Sequence, residues 1–188
     1  MSKRPVDPET SVQPSRKRVV APITTTENTT IVYTDGACTA NGSETAQAGI
    51  GVYFGSNDLR NVSRPLLTKG PHTNQRAELE AIQEALAITK DDESVDIRTD
   101  SQYSISCFQD WLPAWERNGW RNKKNKPVMN QDLIRPILAM IRARKARKLG
   151  FRFTKVKGHS GIFGNDEADR LATSGIYASK EEKEIKIN

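Results

Sequence analysis

The hydrophobic period of this chain changes near residue 73, and that change limits the folds open to it. Ile31 to Thr34, Ala48 to Phe54 and Val62 to Leu67 read as strands, the first two joined through Asn41-Gly42. Short connections of this kind favour antiparallel neighbours. Pro65 interrupts the third run and suits it to a sheet edge. After that the spacing turns helical. Thr73 or Asn74 can cap a helix through Ile88, with Ala77, Ala81, Ala85 and Leu86 on its buried face. Val95 to Thr99 is a short strand and Gln102 to Phe108 a short helix. A new helical start at Asp110 tolerates Pro113 in its first turn and stops at Gly119. Asn130 opens a helix to about Lys148, ended by Gly150. Phe151 to Val156 is a last strand, and Asn165 caps a helix to about Ser174. The last two strands each follow a helical connection, so they are expected to pair in parallel. The pattern predicts an α/β fold: a five-stranded mixed sheet, three strands antiparallel and then parallel ones, flanked by helices.

The ends read differently. Residues 1–29 carry Pro5, Pro8, Pro14 and Pro22 with little periodic apolar content, and are expected to be a disordered tail. A flexible Lys/Glu-rich tail is expected over 178–188. That leaves one domain over 30–177, long enough to bury a core without staples. Cys38 and Cys107 are the only cysteines, too few for a disulfide scaffold, and no Cys/His spacing suits zinc. A reduced, intracellular setting is expected. No apolar run approaches a membrane span, and no apolar stretch follows the N-terminus as in a secretory signal. The net charge of +6 suits a polyanionic partner. Arg16-Lys17-Arg18 is a solvated cluster or a nuclear import signal, and tilts the expected compartment from cytoplasm toward nucleus.

Four acids stand out. Asp35 and Asp100 each follow an apolar strand, at the sheet end where α/β proteins build their sites. Glu78 sits early in the first long helix, in phase with Ala81 and Ile82. An acid among buried neighbours is costly unless it is paired or binds a cation. Asp169 lies one turn after Asn165. Any one of them alone reads as a turn or helix-start residue. Together they would repel and raise one another's pKa unless a cation intervened. Such hard oxygen ligands suit Mg²⁺ or Mn²⁺. Two such ions can serve phosphodiester cleavage by activating a water and stabilising the leaving oxygen. His159, between Gly158 and Ser160-Gly161, reads as a loop histidine able to shuttle protons.

Trp111 and Trp115 are one helical turn apart, and with Trp120 they form either core or a stacking platform. A basic loop follows, from Arg121 to Lys126, suited to a nucleic-acid backbone, with Arg117, Lys123, Lys124 and Lys126 as the candidate patch. The run Arg142, Arg144, Lys145, Arg147, Lys148 reads as a solvated face that complements a helix C-terminus.

These segments, TDGAC, TNQRAELEA, TDSQY, WLPAWERNGW, VKGHSG and GNDEADRLA, resemble the type 1 ribonuclease H family in order and spacing from about residue 30 to 177. The wording is closer to the eukaryotic branch. The resemblance implies a ribonuclease H-like fold and an endonuclease that cuts the RNA strand of RNA–DNA hybrids with two Mg²⁺ ions, or Mn²⁺ in their place. It implies that Asp35 bridges both ions, that Glu78 and Asp100 hold one and Asp169 the other, and that His159 assists turnover. It places Asn41, Asn74 and Gln75 at RNA 2′-hydroxyls, the groups that distinguish RNA from DNA. Cys38 falls near the RNA strand. Gln102, Trp111, Trp115, Lys123 and Lys124 join the substrate-binding set, and Thr73 and Asn130 fit a pocket for a DNA phosphate. Pro71 stands where that pocket's Arg is expected, with Lys69 as a substitute. The hybrid-binding module of eukaryotic relatives has no room in the first 29 residues, so weaker, less processive binding is expected. A monomer is expected. The rival readings are a catalytically weak hybrid-binding domain from a mobile element and a related nuclease with another substrate.

Overall fold

The computed structural model describes residues 29–185. The expected N-terminal tail, with Arg16-Lys17-Arg18, lies outside the described residues apart from Thr29. A single five-stranded sheet has the order β3-β2-β1-β4-β5. Strands β1 (Thr29–Thr39), β2 (Gln47–Tyr53) and β3 (Val62–Pro65) form the antiparallel part. Strands β4 (Ser94–Thr99) and β5 (Phe151–Lys155) add in parallel beside β1. Pro65 lies on edge strand β3, where its missing N–H costs no ladder bond to a further strand.

Among the described residues, five α-helices accompany the sheet: α1 (Asn74–Ile88), α2 (Gln102–Ser106), α3 (Leu112–Arg117), α4 (Gln131–Ala146) and α5 (Phe163–Ile185). The main core lies between the sheet and α1 and α4. Val32, Ile50, Val52 and Ile97 meet Leu79, Ile82, Leu133, Ile134 and Ile137, all fully buried. Each such side chain contributes roughly 1.5–3 kcal/mol by leaving water. Neighbouring strand residues face opposite sides. A side chain at Gly36 would strike the α1 backbone at Ala77 and Glu78, and one at Gly51, the register partner of Asp35, would strike α5 at Ala168 and Ala172. Helices α1 and α5 therefore clasp β1 and β2 from opposite faces, in direct contact with strand backbone.

Several elements differ from the sequence reading. Strand β1 does not end before Asp35. It continues to Thr39, because β2 pairs with it from Tyr33 through Thr39, whereas its pairing with β4 is recorded only as far as Tyr33. Asp35 is thus mid-strand on one side and at a strand end on the other. The helix expected to restart at Asp110 is instead joined to α2 by a π-helical turn over Cys107–Trp111. Ser106 Oγ donates to Asp110 Oδ2 across this wider turn at 2.7 Å. Helix α5 runs past Ser174 to Ile185, and the tail expected from residue 178 begins within its last turns.

Arg144 also departs from the sequence reading. It is not on a solvated face but is 3% exposed. Its guanidinium donates to the carbonyls of Leu86, Thr89, Lys90 and Glu93 at 2.8–3.0 Å. It satisfies carbonyls that the end of α1 leaves without helical partners.

Candidate active site

Thr73 caps α1 by accepting a hydrogen bond from the Arg76 N–H at 3.3 Å. That fixes the phase of the helix and turns Glu78 inward with Ala81 and Ile82, only 5% exposed. Gly36, with no side chain, lets this turn reach the β1 backbone. Asp35 and Asp100 each lie two residues beyond the last recorded β1–β4 pair, Tyr33 with Arg98. Carboxylate oxygens of Asp35, Glu78 and Asp100 lie within 4.8 Å of one another. Asp169, on α5, lines the same cleft, close enough for its charge to act on Asp35. The His159 ring lies 3.9 Å from Asp169, on an exposed loop with a left-handed backbone at φ 49°.

The electrostatics follow from this crowding. Burial, reinforced by the charges of Asp100 and Asp169, pushes Asp35 up to about 7. Burial and the charges of Asp35 and Asp100 hold Glu78 well above the usual carboxylate range, with a small opposing effect from Lys155. Glu78 Oε2 is buried with no hydrogen-bond partner in the structure. Three converging carboxylates, one with an unpartnered buried oxygen, are the donor set a hard divalent cation satisfies. The residues present therefore fit such an ion.

The cleft has a volume of about 340 Å³ and is lined by Asp35, Gly36, Ala37, Cys38, Asn74, Glu78, Asp100, His159 and Asp169. All five residues expected to be catalytic meet there, with Cys38 and Asn74 from the expected substrate set. Asn41 is tied to that wall, its Oδ1 accepting from the Asn74 N–H at 3.0 Å. Gln75 follows on the exposed start of α1.

The remaining expected contacts lie outside this cleft. Gln102 donates to Ser106 Oγ at 3.2 Å, within its own helix. Trp111, Trp115 and Trp120 form a ladder with centroids 5.7 and 6.0 Å apart. Trp111 is exposed at its end, whereas Trp115 and Trp120 pack against the core. Arg135 covers the Trp120 ring at 4.1 Å. Lys123 and Lys124 stand exposed on the loop closed by the Arg121–Pro127 bridge. Asn130 donates to the Tyr103 hydroxyl at 2.9 Å and accepts from Arg76 at 3.3 Å. The guanidinium beside Thr73 and Asn130 is thus that of Arg76, a residue passed over in the sequence. It is already paired with Asp132 at 2.6 Å and with the Lys69 carbonyl at 2.8 Å.

Sequence reasoning also missed residues behind the acids. Lys155 Nζ donates to the Asp100 carbonyl at 2.7 Å. Asn165, read only as a helix cap, reaches the Asp100 carboxylate with its amide. No spacing rule could have shown either contact, since both depend on where β5 leads the chain.

A mixed sheet with carboxylates gathered where two strands part defines a class of acid-lined α/β sites with a donor set that could hold a cation. The chain belongs to the RNase H family, whose profile matches residues 27–177. Among curated relatives, Ribonuclease H of Schizosaccharomyces pombe is 43% identical over 145 residues, covering 77% of this chain and 52% of that protein. Ribonuclease H of Symbiobacterium thermophilum is 37% identical over 150 residues, covering 79% and 95%. The chain thus spans about half the length of its eukaryotic relatives and nearly all of a bacterial one. The solution structure of the PFV RNase H domain has a TM-score of 0.59 at 30% identity, covering 79% of this chain and 94% of that one. The foamy viral protease-reverse transcriptase in complex with RNA/DNA hybrid gives 0.64 at 28%, covering 92% and 22%.

Proposed function

We propose that this chain is an endoribonuclease that hydrolyses the RNA strand of RNA–DNA hybrids, leaving 3′-hydroxyl and 5′-phosphate ends. The observation that carries the reading is the convergence of Asp35, Glu78 and Asp100 within 4.8 Å, with Asp169 lining the same cleft, beside the Asn41–Asn74 wall. Kinship with ribonucleases H, and likeness to a polymerase solved with a hybrid, support the substrate class.

Glu78 and Asp100 would hold one divalent ion and Asp169 another, with Asp35 between them and shared by both. Mg²⁺ is the proposed ion, with Mn²⁺ able to substitute; when bound, such ions lower the pKa of water and neutralise charge on the leaving oxygen. The rest falls to the chain. Asp35 and Glu78 must shed the protons that burial and like charges favour, so the site is assembled only in its ionised form. Asn74 lines the cleft, Asn41 is bonded to its backbone N–H and Gln75 follows it on α1, and their amides can both donate to and accept from 2′-hydroxyls. These amides distinguish RNA from DNA next to the acids. His159, exposed beside Asp169, can accept or release a proton at the rim. Trp111 and the Lys123–Lys124 loop would meet the DNA strand by stacking and by phosphate contact. Thr73 and Asn130 would flank a DNA phosphate, though Asp132 already occupies the Arg76 guanidinium beside them. Among the described residues no helix is long and apolar enough to cross a membrane.

The test incubates the protein with labelled RNA–DNA hybrid, duplex DNA and duplex RNA, with Mg²⁺ or with EDTA. Cleavage of the hybrid alone, abolished by EDTA, is expected. Cleavage that persists in EDTA, or none of the hybrid, would overturn the proposal.

A further inference from the structure

The loop after β5 does more than carry His159. Three groups, from β5, from this loop and from the start of α5, meet Asp100. Lys155 Nζ holds its carbonyl, and at Gly158 the backbone passes so close that a Cβ would collide with Asp100 Oδ2. Asn165, at the start of α5, donates from Nδ2 to the same Oδ2 at 3.4 Å. Asn165 is 2% exposed, and its other amide atom, Oδ1, is buried without a hydrogen-bond partner. That combination is poor packing. A leucine has nearly the same shape and would bury no unsatisfied acceptor. The amide is therefore placed for a polar task, and the one side chain it reaches is Asp100.

We infer that Asn165 is a positioning residue: it holds Oδ2 of Asp100 so that the carboxylate presents a fixed oxygen to a cation shared with Asp35 and Glu78. Asp100 lies past the recorded β1–β4 pairing, so its backbone is fixed less firmly there than in mid-sheet, and its carboxylate needs outside support. Partners of this kind set the orientation of a ligating carboxylate, and their loss typically weakens metal binding or activity about 10–100-fold. Asn165 also ties Asp100 to the helix that carries Asp169, so the two acids are placed by one element.

The inference rests on the reading of the carboxylates as an ion-binding site. Its test uses Asn165→Leu, which keeps the shape, with Asn165→Ala as a second variant, and Asp100→Asn as the control. Mn²⁺ affinity is measured by calorimetry without substrate, next to the melting temperature of the metal-free protein and kcat and KM on a hybrid. Asn165→Leu is expected to melt no lower than the wild type, to bind Mn²⁺ about tenfold more weakly, and to lose kcat with KM unchanged. A purely structural role would instead lower the melting temperature and leave Mn²⁺ affinity in place. If either folded Asn165 variant binds Mn²⁺ within twofold of the wild type while Asp100→Asn does not, the inference is overturned and the site stands. If Asp100→Asn also binds normally, the ion-binding reading itself fails.

Discussion

Asp35 and Asp100 extend side by side from β1 and β4, two residues past the last recorded pair between those strands. Each is braced on one side only: Asp35 by the β2 ladder, Asp100 by the chain that leaves β5. The acids therefore converge where the sheet opens and where a ligand can enter between the strands.

Asp35→Asn removes the carboxylate that lies with Glu78 and Asp100 and shares the cleft with Asp169. Hybrid cleavage is expected to fall by more than the roughly 100-fold typical of losing an outer partner, with hybrid affinity retained. Single-turnover cleavage beside a filter-binding curve checks this. Near wild-type cleavage would remove Asp35 from the site.

The raised pKa values of Asp35 and Glu78 give the metal-free protein a defined pH dependence. Unfolded carboxyls titrate near pH 4, whereas Asp35 in the folded chain titrates at about 7. Between those values the folded state binds more protons, so this contribution to stability is present at low pH and is lost as pH rises through 7. In EDTA the melting temperature is expected to fall between pH 5.5 and 8. Asp100→Asn should raise it at pH 8 by relieving repulsion, and Mg²⁺ should do the same for the wild type. A flat thermal profile in EDTA across this range would contradict the argument.

Lys123 and Lys124 are exposed, and Arg121 on the same loop is held by its bond to the Asn125 carbonyl at 2.8 Å. Replacing both lysines with Ala should raise KM for hybrid without changing kcat. It should also flatten the salt dependence of log affinity by about 1–2, since each phosphate contact contributes nearly one. An unchanged salt slope would place the loop away from the substrate.

Arg144→Met would remove the donor to the carbonyls of Leu86 and Thr89 at the end of α1 and of Lys90 and Glu93 in the turn that leads to β4. A loss of about 3 kcal/mol is expected from removing such a buried network, or a melting temperature lower by roughly 6–12 °C. The specific activity of the folded fraction should not change, because Arg144 touches no residue of the cleft. Differential scanning calorimetry and an activity titration separate the two effects.

Much of this was legible in the sequence, for physical reasons that differ by residue. The cap at Thr73 and the apolar phase of α1 are local, so they placed Glu78 inside without any tertiary information. The parallel pairing of β4 and β5 could be anticipated from their helical connections, whereas the place of β4 beside β1 could not. Nor could the continuation of β1 through Asp35-Gly36. Small residues after an acid mark a turn locally, and only the β2 ladder keeps them extended. Arg144 was misread for a related reason: a cation at a helix end normally faces water, and here the carbonyls that draw it inward belong to the end of another helix and to the turn after it. Asn165 has the composition of a cap, and its reach to Asp100 depends on the fold.

The contact of α5 with Gly51 has a consequence for how this chain can vary. With no side chain between strand and helix, α5 lies on the β2 backbone like a key in its slot and cannot turn about its own axis. Asp169 is placed by counting along that helix. One residue inserted between Asn165 and Asp169 would rotate the acid by about 100° and carry it away from Asp35. Substitutions on the outer face of α5 leave that count alone, so the helix can change its surface freely but not its length over this first turn.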